Sequence, residues 1–158
     1  RNLESSKIYI LVSSARFLGI IFTLFMGILS DKIGLKKSLS RGIILCGTAT
    51  LLLGICPSSF SQWIFFFQAP LAICLTPLSH TALANLTPAE NSASIVSLSS
   101  SISFLFGTGL LPLFIGFFGY LNLYFLGFLI FGIFCLLTGI SLQKNIDQSY
   151  EHNEEMLL

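Results

Sequence analysis

Apolar residues in this chain come in long unbroken runs separated by short polar breaks, not in alternation with polar ones. Five runs cover residues 8–30, 42–56, 62–84, 92–118 and 122–142. Their lengths approach or match the roughly 17–25 residues of a membrane-spanning helix. The first is interrupted only by Arg16, and the third contains Pro70 and Pro77. Membrane helices accommodate such prolines as kinks. The breaks carry turn chemistry: Pro57-Ser58-Ser59, the polar stretch 85–91, and Gly119-Tyr120-Leu121-Asn122. A spanning β-barrel needs alternating segments of about ten residues, and these runs are continuous and too long. The pattern predicts an all-α integral membrane protein: a bundle of about five spanning helices over residues 1–142 and a polar tail over 143–158.

Composition sharpens the picture. Of 158 residues, 54% are hydrophobic and 9% charged, with mean hydropathy +0.86. Soluble domains carry about 25% charged residues, so this chain could not clothe a water-facing surface. Between Gly42 and Gln143 the only formal charge is Glu90. A net charge of +1 leaves no basic footprint for nucleic acid. Cys46, Cys56, Cys74 and Cys135 sit in or beside apolar runs without ligand spacing. They read as small membrane-embedded residues, and no metal or cofactor is expected. The first residue is Arg and the opening lacks a secretory leader pattern, which reads as a fragment of a longer chain.

Lys32, Lys36, Lys37 and Arg41 cluster between the first two runs. The positive-inside rule places that loop, residues 31–41, in the cytoplasm. The remaining loops then alternate, Trp63 anchors at the outer interface, and the tail is cytoplasmic with Lys144 at the membrane edge. Arg1 and Lys7 fall on the outer side, outweighed by the four clustered cations.

The same loop contains Gly27, Asp31, Lys32, Gly34, Lys36 and Lys37. Gly27 permits close backbone approach, Gly34 permits a turn, and Asp31 ends a helix where a neighbouring helix N-terminus can meet it. This segment resembles the loop signature of the major facilitator superfamily, G-x-x-x-D-(R/K)-x-G-(R/K)-(R/K). Leu35 departs from it, standing where a cation is usual. Downstream, Thr87-Pro88-Ala89-Glu90, a serine-rich helix start, and then Gly107, Gly109, Pro112 and Gly116 are similar to a later loop and helix of that superfamily. The resemblance covers nearly the whole chain as helices 8 to 12, the C-terminal half, with helices 2 to 6 as the competing register. It implies a secondary transporter of a bacterial inner membrane, rocking two halves around a midplane site. Asp31 and the basic loop would act as a cytoplasmic latch. Gly107, Gly109, Pro112 and Gly116 would mark where helices cross and slide. The N-terminal half of the same chain would be the missing partner, with a proton as the co-transported ion.

Arg16 is the only cation inside an apolar run, fifteen residues before Asp31. At 1.5 Å per residue that is about 22 Å along a helix. A charge at such depth costs at least about 2.5–3.5 kcal/mol, so a cavity position facing a small anionic substrate is expected, with Gln68 and Thr76 as further polar contacts. Snorkelling to the outer surface would span about 13 Å to Lys7, long for an arginine. Ser79, Ser101 and Ser103 are weaker cavity candidates. His80 reads as an interfacial residue or a proton-coupling group. An enzymatic phosphotransferase site needs several carboxylates for paired metals, and one aspartate cannot supply them. The remaining alternative is a non-transporting five-helix subunit acting through a partner protein.

Overall fold

The computed structural model describes the backbone of residues 5–155 and the side chains of residues 9–57 and 60–145. Arg1, the Lys7 side chain and the acidic side chains of the tail lie outside these described residues. Among the described residues every element is helical. They are α1 (Ser5–Ile33), α2 (Leu35–Ile55), α3 (Ser58–Leu86), α4 (Ala89–Phe104), a π-helical segment (Leu105–Leu110), α5 (Leu111–Tyr120) and α6 (Tyr124–Glu155). Residues 89–120 form one continuous rod, so five helical rods are long and apolar enough to cross a membrane.

Two features differ from the sequence pattern. The basic loop over 31–41 is reduced to a single residue, because α1 continues to Ile33 and α2 begins at Leu35. Gly34 makes this reversal at φ +91°, a conformation L side chains rarely adopt. Its N–H donates to Ser30 O (2.9 Å) and its carbonyl accepts from Ser38 N (3.0 Å), so the two helices share their end bonds. At the other end, α6 does not stop at the apolar boundary and stays helical to Glu155.

The second reversal, between α5 and α6, is also tight. Asn122 adopts φ 57°, and its N–H donates to Gly119 O (3.0 Å). Asparagine is among the few side-chain-bearing residues that enter this region readily. Gly119 packs closely here: a Cβ would meet the Tyr124 ring at 2.6 Å, so the ring would have to shift.

Helix α2 lies at the centre, packed against α1, α3 and α6. One face of α2, with Leu35 and Leu39, closes on a small core of Met26, Cys74 and Leu78 from α1 and α3. The other face meets α6 along a seam of small residues. A Cβ on Gly139 would lie 2.7 Å from Ile44, one on Gly132 would lie 2.7 Å from Leu51, and one on Gly47 would lie 3.0 Å from Cys135. Ser40 donates to Gly139 O across the seam (2.8 Å). Such small-residue contacts replace the hydrophobic effect, which cannot drive helices together in lipid. Large apolar side chains such as Phe17, Leu24, Phe25, Phe134 and Leu137 point outward, as a lipid-facing surface requires.

Candidate functional site

Several hydroxyls of the spans are satisfied within their own helices, whereas Ser40 bonds across to α6 and the buried Ser38 hydroxyl has no partner among the described residues. Thr23 donates to Gly19 O (2.8 Å), Thr50 to Cys46 O (2.8 Å), Ser79 to Leu75 O (2.9 Å) and Ser101 to Ser97 O (3.0 Å). This back-bonding to the preceding turn lets a hydroxyl sit in hydrocarbon without an orphan donor.

Arg16 is exposed on α1, and among the described residues it has no ion pair or hydrogen bond. Its neighbour Ala15 is buried, and one turn on Gly19 is pressed against Ile73 of α3. The two helices cross in the same direction, and that contact sets their register. By helix rise Arg16 and Gln68 then lie within about 3 Å of the same depth. Gln68 is half-buried and donates to Thr50 Oγ1 of α2 (3.3 Å). The bond uses one of the amide's two N–H groups and ties α3 to α2. Thr76 lies about two turns further in and is exposed. The structure therefore brings Arg16 and Gln68 to one level, engages Gln68 with a neighbouring helix, and sets Thr76 apart from both.

His80 makes a second inter-helix bond. Its Nε2 lies 3.1 Å from Ser100 Oγ of α4. Ser100 already donates to Val96 O (2.7 Å). With its one proton given to Val96 O, the Ser100 oxygen accepts from the tautomer of His80 that carries hydrogen on Nε2. Thr50 and Ser100, the partners of Gln68 and His80, are invisible to a one-dimensional reading because each pairing crosses from one helix to another. Ser103 is exposed on α4, as is Ser101.

The basic reversal groups Asp31, Lys32 and Lys36 as exposed residues on either side of Gly34, with Lys37 half-buried. Asp31 lies within the last turn of α1 and not beyond it. Gly27 has nothing within 4 Å of an added Cβ.

The glycines expected at helix crossings meet no other helix among the described residues. Gly107, Gly109 and Gly116 likewise have nothing within 4 Å of an added Cβ, and Pro112 is exposed at the start of α5. Among the described residues the π segment contacts only its own flanks, α4 and α5, and α5 meets α6 through other positions, with Ile115 and Phe118 against Gly127. The close approaches fall instead at Gly19, Gly42, Gly47, Gly132 and Gly139. The spacing of Ser40, Gly47 and Gly54 on α2, and of Gly132 and Gly139 on α6, was a readable signal: small residues seven apart mark a helix seam.

The described residues contain no metal-ligand cluster, and the four cysteines are free thiols. Five helical rods long and apolar enough to cross a membrane, with large apolar side chains turned outward, define a multi-pass helical membrane protein. The family model of the Major Facilitator Superfamily matches residues 2–151. The chain belongs to that superfamily, whose members are transporters and not enzymes. No curated protein and no solved structure matches the chain.

Proposed function

We propose that the chain forms most of the C-terminal half-bundle of a secondary transporter that moves a small anion by alternating access, together with an N-terminal half of the same protein. The observation that carries this reading is Arg16: an exposed guanidinium about 22 Å along α1 from Asp31, without a partner among the described residues. Its planar fork suits a carboxylate, phosphate or nitrate group. Binding a counter-charge offsets the cost of holding it within the membrane. Gln68, at the same depth, supplies a second polar contact through its amide, and Thr76 a third deeper in. A proton is the co-transported ion.

Asp31, Lys32, Lys36 and Lys37 latch the cytoplasmic side while the outside is open, hinged on Gly27 and Gly34. Gly107, Pro112 and Gly116, which are exposed, and the half-buried Gly109 give the fourth span a small-residue face for the opposing half. The reversal at Gly34 and the C-terminal tail lie in the cytoplasm, and the membrane is a bacterial inner membrane.

Uptake by the full-length protein tests the reading. Arg16→Ala abolishes anion uptake, and Arg16→Lys keeps a small fraction, since a lysine retains charge without the fork. Unchanged uptake in both variants refutes the role of Arg16.

A further inference from the structure

The outer edge of the α2–α6 seam carries a pattern that solute transport does not use. Contacts at Ser40–Gly139, Gly47–Leu136 and Leu51–Gly132 show that the two helices run antiparallel in fixed register. Continuing that register sets Lys144 of α6 level with about residue 38 of α2, one turn from Arg41. Both cations are exposed.

Helical phase places them on one side. Arg41, Thr48, Leu52 and Ile55 follow at offsets of 7, 11 and 14 and are exposed. Lys144, Ile140, Leu137 and Ile133 follow at offsets of 4, 7 and 11 on α6 and are exposed too. The opposite edge of α2 is taken by α1 and α3, and that of α6 by α5, where Gly127 lies against Ile115 and Phe118. The two stripes therefore flank the seam on its free side. The glycines draw the helix axes together, toward the roughly 8 Å lower limit of helix packing. Thr48 donates to Leu45 O (2.8 Å), so the one hydroxyl in the stripes is satisfied within its own helix. The result is a shallow apolar furrow running along the membrane, with a cation on each bank at one end.

We infer that this furrow is a binding site for one anionic phospholipid: Arg41 and Lys144 hold its phosphodiester headgroup from the two banks, and an acyl chain lies along the furrow against Thr48, Leu52, Leu137 and Ile140. Charge complementarity names the occupant. Among the described side chains the only acids are Asp31 and Glu90, on α1 and α4, and neither helix borders the furrow. Basic sites between spanning helices at the cytoplasmic surface take anionic headgroups by this means. A soluble phosphate would match the cations but would leave the furrow uncovered.

Native mass spectrometry of the purified full-length protein, titrated with phosphatidylglycerol and with phosphatidylcholine, tests the site. One phosphatidylglycerol binds in preference to phosphatidylcholine. The double variant Arg41→Gln, Lys144→Gln weakens it about thirtyfold, near fivefold per cation, and leaves phosphatidylcholine unchanged. The charge-keeping pair Arg41→Lys, Lys144→Arg restores binding. Lys144→Gln alone, at an exposed position, gives the fivefold step if the double variant fails to fold. Glycerol phosphate at matched concentration does not compete. Equal affinity for both lipids, wild-type affinity in the glutamine variants, or displacement by glycerol phosphate overturns the proposal. No arm measures transport, so the result stands apart from the role of Arg16.

Discussion

At the scale of single residues, glycines do opposite work in different places. Gly132 faces Leu51, with a hypothetical Cβ 2.7 Å from its side chain and 2.9 Å from its backbone nitrogen. Backbone cannot move aside as a side-chain tip can, so Gly132→Ala destabilises the protein by about 1–3 kcal/mol. Gly116→Ala, in open space, leaves stability within about 0.5 kcal/mol. Thermal unfolding of the two variants of the purified full-length protein checks the contrast, and equal melting shifts refute it. Gln68→Leu removes the amide that ties α3 to α2 and lowers stability by about 0.6 kcal/mol, the mean for side-chain bonds between membrane helices. The same comparison with Thr50→Val measures whether the pair is coupled. Arg16 was legible in the sequence as a charge in an apolar run. That it has no partner among the described residues was not, since partners come from other helices.

At the scale of elements, the fourth span is jointed. Its N-terminal part, α4, packs on α3 and is tied to it by Ser100 and His80. Its C-terminal part, α5, packs on α6. Between them the π segment Leu105–Leu110 touches neither neighbour, contains Gly107 and Gly109, and begins where Thr108 donates to Phe104 O (2.6 Å). Such π insertions recur at functional sites in helices. Stiffening the joint with Gly107→Ala and Gly109→Ala slows uptake several-fold while leaving the melting temperature in place, because neither Cβ meets an atom within 4 Å. Wild-type uptake in the double variant removes the hinge from the mechanism. The α1–α2 reversal is the other junction. Asp31→Asn keeps membrane insertion and slows transport if Asp31 is part of the latch, and normal rates exclude that role.

At the scale of the whole molecule, five crossings with two tight reversals demand that Gly34 and Asn122 lie on opposite sides of the membrane. In a protein whose four cysteines are replaced, Lys36→Cys reacts with an impermeant thiol reagent from the cytoplasmic side only, and Tyr120→Cys from the outside only. Both positions are exposed. Labelling of both from one side overturns the five-span topology, and the reverse assignment overturns the orientation drawn from the lysine cluster. The cysteines are free thiols, so replacing them breaks no covalent link.

The sequence by itself determined the class, the number of crossings and the superfamily. These depend on the length of apolar runs and on local motifs, and hydrocarbon permits few spanning structures. It also made legible which residues are chemically out of place, Arg16 above all. What only the tertiary structure decided is which residues meet. The glycines at 107, 109 and 116 look like a crossing in one dimension and face open space in three. Those at 47, 132 and 139, whose seven-residue spacing hints at a seam without naming its partner, lie where a Cβ would meet side chains and backbone of the facing helix at 2.7–3.3 Å. The physical reason is that a small residue acts only through what approaches it, and the approach is set by the packing of α2 on α6. The same packing brings Arg41 and Lys144, more than a hundred residues apart, to the two banks of one furrow.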